Sequence, residues 1–172
     1  MTTLIEEIQG RTKVALEAWQ AAFYDSPSLT VWQTIKRLAG PKWKRMKPEL
    51  LASVEKGYNK QPLVEILLEE QEWDSAIKVA DEKGQDYRLV ALVADGVIDR
   101  RPEWVIDASI KQAEGLIEPA KSKYYPAAVE WLRRAKVAYT QTGQTGDWQM
   151  YLTRLKEQYK RRPSLISQLK RL

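Results

Sequence analysis

The sequence predicts an all-α fold: an irregular, tetratricopeptide-like array of antiparallel helical hairpins, α-solenoid-like, with eight or nine helices. Three observations carry this expectation. Apolar residues recur at spacings of three, four and seven along most of the chain, the pattern of a buried helix face. No segment keeps the apolar–polar alternation of a strand. Proline and glycine fall between the periodic segments, and the connections are short, which favours stacked hairpins over one long bundle.

Each element follows from its own residues. Leu4, Ile8, Ala15, Ala18, Trp19 and Ala22 make an amphipathic helix over 3–23, with Gly10 as its weak point. Asp25-Ser26-Pro27 offers an N-cap and then a proline at the first helical position. Leu29, Trp32, Ile35 and Leu38-Ala39 carry the next helix to Gly40-Pro41, which stops it. Pro48 opens a short helix through Leu50, Leu51 and Val54, ended by Gly57. Helices then follow from Leu63 to Leu68, from Ser75 to Lys83 with Asp74 as cap, and from Asp86 to Ile98 with Tyr87, Val90, Ala91 and Ala94 on one stripe. Pro102 restarts the chain, and Trp104, Val105, Ala108, Gln112, Ala113, Leu116 and Ile117 form the next stripe, which Pro119 ends. Pro126 opens a helix that turns Ala128, Trp131, Leu132, Ala135, Ala138 and Tyr139 inward. After Gly143-Gln144-Thr145-Gly146-Asp147 comes the clearest stripe, Trp148, Tyr151, Leu152, Leu155 and Tyr159; Pro163 ends it before a short last helix.

Small residues recur where helices would cross closely: Ala76 and Ala80, Ala91 and Ala94, Ala108 and Ala113, Ala128 and Ala135. The tryptophans at 73, 104, 131 and 148 keep no fixed period, so the array is irregular rather than a strict repeat. The segment from Gly57 to Pro62 is the best candidate boundary, dividing an N-terminal helical subdomain, 1–60, from a repeat-like domain, 61–172, the two packed as one continuous unit.

The chain of 172 residues has no Cys and no His. That composition excludes disulfides, a thiol nucleophile and thiolate or imidazole metal sites, and it removes the commonest general base near neutral pH. The apolar runs are far shorter than the roughly 20 residues a membrane helix needs, and the N-terminal residues Glu6 and Glu7 do not fit a signal peptide. The expected setting is cytoplasmic, with no membrane partner. Charge is uneven: residues 121–172 hold 12 basic and 3 acidic residues, whereas 1–120 hold 16 basic and 20 acidic. Such asymmetry points to an acidic or polyanionic partner, or to helices whose outer faces are simply solvated by Lys and Arg.

Several runs in the second half stand out: Glu72-Trp73-Asp74-Ser75-Ala76-Ile77, Arg101-Pro102-Glu103-Trp104-Val105-Ile106 with Gln112-Ala113-Glu114, and Tyr124-Tyr125-Pro126-Ala127-Ala128-Val129-Glu130-Trp131-Leu132 with Ala138-Tyr139. With Trp148-Gln149-Met150-Tyr151-Leu152 and Leu155, they resemble the helical C-terminal region of bacterial and cyanobacterial SWIM zinc-finger proteins over about residues 72–172. The zinc finger of that family uses Cys-x-Cys and Cys-x-His, and neither residue type occurs here, so no metal ligand carries over. The resemblance implies an accessory helical part of such a protein, a docking or packing module.

Candidate chemistry is sparse. Ser-x-x-Lys at Ser75–Lys78 also occurs at Ser53–Lys56 and Ser167–Lys170, without the companion motifs of serine acyl-enzymes. Glu65, Glu69, Glu70, Glu72 and Asp74 crowd together, but an acidic helix face is the simpler reading than a hard-metal site. Phosphate-cradling glycine loops are absent. No catalytic residue, metal ligand, cofactor or small-molecule substrate is expected, and the chain is read as no enzyme. Trp19, Trp104, Trp131, Trp148, Tyr139 and Tyr151 read as core. Trp43, in Lys42-Trp43-Lys44-Arg45, is the candidate exposed aromatic anchor, unless neighbouring lysine stems cover it. Arg133, Arg134, Arg154, Lys160 and Arg161 form the candidate basic binding face, with Arg154, Gln158 and Arg161 on one side of a single helix. The expected function is therefore a non-catalytic protein-interaction or scaffold module with an unknown protein partner. The alternative is a sequence-nonspecific nucleic-acid-binding accessory domain that uses the basic C-terminal half.

Overall fold

The computed structural model describes the backbone of residues 2–172 and the side chains from residue 10 onward; Leu4 and Ile8 lie outside the described side chains. Among the described residues the fold is all-α, with no strand. The described residues form nine helices of nine residues or more: α1 Thr2–Asp25, α2 Leu29–Ala39, α3 Trp43–Glu55, α4 Gln61–Glu69, α5 Trp73–Glu82, α6 Tyr87–Val97, α7 Pro102–Ile117, α8 Tyr125–Gln141 and α9 Thr145–Gln158. A seven-residue helix, α10 Pro163–Leu169, follows. No helix among the described residues is long and apolar enough to cross a membrane. The chain divides into two compact units, one ending at Val79 and the other running Ala80–Leu172. The Gly57–Pro62 segment, whose last two residues already belong to α4, lies inside the first unit.

In the first unit the core is Phe23, Trp32, Ile35, Leu50, Val54, Val64 and Ile66, all fully enclosed. Gly10 does not break α1. The α2 cap is Ser28, whose hydroxyl accepts from the Val31 N–H at 3.3 Å; Pro27 precedes the cap instead of following it. Gly40, at φ +49°, turns the chain out of α2 in a conformation that a Cβ would disfavour. Helix α3 then begins at Trp43, five residues before Pro48, which sits inside it. A proline in a helix interior removes one backbone donor and crowds the carbonyl four residues back, here Lys44. Pro48 and Lys44 are both exposed. The early start is held by tertiary packing: Trp43 meets the Trp32 ring edge-on at 4.8 Å, and Lys47 reaches Glu70. Trp19 is 39% exposed and is not core; the buried aromatic residues of this unit are Phe23 and Trp32, 5.8 Å apart.

Glu70, just after α4, ties three helices together. Its side chain is 8% exposed. One oxygen accepts from Trp32 Nε1 at 3.1 Å and Lys36 Nζ at 2.7 Å, the other from Lys47 Nζ at 2.8 Å. Burial alone would raise its pKa, but the bonds from Lys36, Lys47 and Trp32 and the charge of Lys47 outweigh it and bring the carboxyl down to about 2. Gln71 follows in the left-handed region at φ 60°, so that its N–H and that of Glu72 can close the helix onto the Leu68 and Leu67 carbonyls.

The second unit is built on α7 and α8. Asp86 caps α6 through the Arg88 and Leu89 amides, both at 3.2 Å, and Tyr87 points outward, 55% exposed, rather than joining the α6 stripe. Pro102 and Pro126 open α7 and α8 as expected, in positions where a missing N–H costs nothing. Ser109 and Ala113 on α7, and Ala128, Ala135 and Ala138 on α8, are all fully buried. Side chains this small let two helix backbones approach closely along their length. Gln141, at the end of α8, donates to Asp99, which precedes α7, so the two helices run antiparallel. Gly143, at φ +72°, ends α8 with its own N–H on the Thr140 carbonyl and the Gln144 N–H on the Tyr139 carbonyl, a Schellman closure. Helix α9 returns antiparallel to α8, with Trp148 6.0 Å from Tyr139.

Two outcomes follow. The Glu70 carboxyl, lowered from 4.5 to about 2, adds stability that is complete above pH 4.5 and is lost as pH falls toward 2. Glu70→Gln should cost on the order of 2 kcal/mol at pH 7 and flatten the decline in stability between pH 4.5 and 2, as read by urea unfolding across that range. Ala128→Leu, which pushes a bulky side chain into the α7–α8 contact, should cost about 1–3 kcal/mol in the same measurement.

Candidate functional site

The structure distributes the five expected basic residues rather than massing them. Arg133 pairs with Glu130 one turn earlier on α8 at 3.0 Å. Arg134 makes two bonds to the Asp95 carboxylate, at 2.6 and 3.1 Å, and lies over the Trp131 ring at 5.0 Å. Lys160 pairs with Glu157. The charge of these three is balanced by carboxylates beside them. Arg154 rests on the Tyr151 ring at 5.6 Å, and Arg161 is exposed. Helix α9 ends at Gln158, so Arg161 stands in the following turn and does not continue the Arg154–Gln158 face. The cause is Tyr159, which leaves helical geometry at the cap, and Pro163, which starts a new helix.

Trp43 is not an exposed anchor. It is half-buried, its ring set against Trp32, with Lys36 Nζ 6.0 Å from its centre. The glutamates of the acidic block are committed as well: Glu65 accepts from Gln61, Glu69 from Gln33, and Glu70 from its three donors. Among the described residues no three His, Cys, Asp or Glu side chains gather as a ligand set.

What the second unit does present is a cleft of about 400 Å³, lined by Ile110 of α7, Tyr139 of α8, and Asp147, Met150, Tyr151 and Arg154 of α9. Its size lies toward the lower end of the roughly 300–1,000 Å³ of ligand-binding pockets. The wall is mostly apolar and aromatic. Met150 is 67% exposed, a flexible thioether at the surface of the cleft. Beneath the lining, the fully buried Trp148 ring lies 6.0 Å from both Tyr139 and Tyr151. Its Nε1 has no partner among the described residues, nor has the buried Ser109 hydroxyl.

The Tyr151 hydroxyl donates to Glu114 Oε1 at 3.2 Å and so joins α9 to α7. Burial first, then the charge and the hydrogen bond of Glu114, hold the Tyr151 phenol well above the ordinary tyrosine range; Arg154 opposes them in part. Tyr139 is raised too, by burial and then by Asp147 and Asp107, again against Arg154. The charged residues of the lining are one carboxylate, Asp147, and one guanidinium, Arg154.

Tyr151 is buried, as its place on the α9 stripe predicts, whereas Tyr139 is half-buried, and nothing in the sequence pattern singles out Ile110 or Asp107. The one available signal was Met150. It is a large apolar residue off the Trp148–Tyr151–Leu152–Leu155 stripe, and so on a face that core packing does not explain.

Tyr151→Phe should remove the bond to Glu114 at a cost of about 1 kcal/mol at neutral pH. A phenol whose pKa is raised by folding adds stability that is whole below pH 10 and declines as pH climbs above it. The variant should accordingly lose less stability than the parent above pH 10, as followed by alkaline unfolding. No family model, curated protein or solved structure matches this chain.

Proposed function

We propose that the chain is a non-catalytic helical module that binds another protein through the cleft between α7, α8 and α9. The observation that carries this reading is the cleft itself: a concave wall of Ile110, Tyr139, Met150 and Tyr151 with the polar groups Asp147 and Arg154 at its edge. An apolar floor with a few directional charges is what a partner's side chain needs for affinity and for register. The same reading treats the array as tetratricopeptide-like and as the accessory helical part of a SWIM zinc-finger-type protein, on the sequence resemblance over residues 72–172. It involves no cofactor and no small-molecule substrate, and its proposed setting is the cytoplasm. The alternative, nucleic-acid binding, draws on Arg154 and Arg161, since Glu130, Asp95 and Glu157 already hold the other three cations.

Met150→Asn removes apolar contact without adding charge, at an exposed position where the fold tolerates it. Affinity purification from cell extract with the parent and this variant should return a protein partner that the variant loses or binds about tenfold more weakly. A partner recovered equally by both places binding outside the cleft. Titration with single-stranded RNA and duplex DNA at two salt concentrations should show no tight, salt-sensitive complex; one that weakens with Arg154→Glu and Arg161→Glu would favour the nucleic-acid reading.

A further inference from the structure

Helix α1 carries an outward face that the first unit does not use. Among its described residues only Leu16 and Phe23 are buried. They stand seven residues apart on one face, and Phe23 packs on Trp32 of α2. Helix α2 has 11 residues against the 24 of α1, so it can cover less than half of its length. The opposite face runs Arg11, Val14, Ala18, Ala21, Ala22 and Asp25, all exposed, with Val14 at 67%. A helix side that faces water normally carries charged and polar residues. Between Arg11 and Asp25 this one carries only Val and Ala. Asp25 lies in the last turn, where the helix dipole disfavours a carboxylate, and no base in that turn offsets it. The face is also symmetric about Ala18. Arg11 precedes it and Asp25 follows it by seven residues, Val14 and Ala22 by four, Ala15 and Ala21 by three. All three steps return to the same side of a helix.

We propose that this face binds the same face of a second copy of the chain, the two α1 helices antiparallel about a two-fold axis at Ala18. A two-fold axis sets each residue against the one equally far on the other side of Ala18. Arg11 of each copy then meets Asp25 of the other, at both ends of the contact. Val14 seats on Ala22 of the other copy, and the two Ala18 methyl groups meet at the axis. Side chains this small let the helix axes approach to about 8–10 Å. Charge decides both the partner and the direction. Parallel helices would oppose Arg11 to Arg11 and Asp25 to Asp25, whereas antiparallel ones make two ion pairs and oppose their dipoles. An unrelated helix would match this pattern only by chance; a second α1 matches it through its own sequence. The contact covers residues 11–25, about 21 Å of helix. It is small, so the expected Kd is on the order of 10 μM. It involves the first unit alone and does not depend on the cleft of the second.

Sedimentation velocity of the full chain over about 1–100 μM tests this, and the expected result is a monomer–dimer equilibrium. Ala18→Glu sets two like charges at the axis from an exposed position and should leave the chain monomeric over that range. Arg11→Asp alone and Asp25→Arg alone should each weaken the dimer about tenfold, and the two together in one chain should restore it to within about threefold. Circular dichroism of each variant separates loss of the dimer from loss of the helix. The chain has no Cys, so introduced cysteines report the direction of pairing. Under mild oxidation, a mixture of Val14→Cys and Ala22→Cys chains should give a disulfide-linked dimer that neither variant gives alone. A parent that stays monomeric at about 100 μM would overturn the inference and leave the cleft reading untouched. A dimer indifferent to Ala18→Glu would also overturn it, since the contact would then lie elsewhere. The same holds for cross-linking of Val14→Cys with itself, which requires parallel helices.

Discussion

The closeness of α7 and α8 is the constraint on which the second unit depends. Five small buried residues, Ser109, Ala113, Ala128, Ala135 and Ala138, occupy the contact, so the two backbones approach with little side chain between them. Trp131 and Leu132 fill the remaining core, and Tyr139 emerges at the end of α8 where α9 begins. Helix α9 then lies against α8 through Trp148 while reaching α7 by a long side chain, the Tyr151 hydroxyl on Glu114. The cleft is the space left when two helices flank a third and meet each other through a tyrosine.

The first unit solves a different problem. Trp32 is fully enclosed, and its indole N–H needs an acceptor. Glu70 supplies it, and a buried carboxylate then needs cations, which Lys36 and Lys47 supply from α2 and α3. One buried donor thus brings three charges into a fixed arrangement. The block that reads in the sequence as basic, around Lys36 and Lys47, and the block that reads as acidic, around Glu70, are two halves of one structural device. Gln71 then leaves the helix in the left-handed region, and its N–H and that of Glu72 close the helix end just after Glu70.

Most of the fold was legible because helix boundaries here depend on local chemistry. Pro102, Pro126 and Pro163 open helices, Asp86 caps one, and Gly40 and Gly143 end two, each by rules that act within a turn. The start of α3 was not legible: local rules favour Pro48, but Trp43 gains a partner in α2, Trp32, and Lys47 gains one beyond α3, Glu70. Trp19 and Tyr87 failed for a related reason. Periodicity shows that a face is apolar, and packing decides how much of that face is covered. The site was less legible still. A cleft is a property of three helices at once, and its residues, taken singly, read as core tyrosines, a surface methionine and ordinary surface acids.

Charge illustrates the same limit most sharply. The sum over residues 121–172 is strongly positive, and it suggests a partner of negative charge. The structure pairs Arg133, Arg134 and Lys160 with Glu130, Asp95 and Glu157, and it directs Arg162 to the Ile117 carbonyl and the Tyr159 ring. Exposed pairs of this kind add little stability, but they consume the charge that the sum counts. The cleft between α7, α8 and α9 shares none of that excess, since its lining carries one carboxylate, Asp147, and one guanidinium, Arg154. A ligand in a low-dielectric cleft responds to charges within a few ångströms far more than to a total that salt screens beyond about 10 Å. The charge that a local region presents is therefore set by which helices face each other, and the sum over the sequence does not give it.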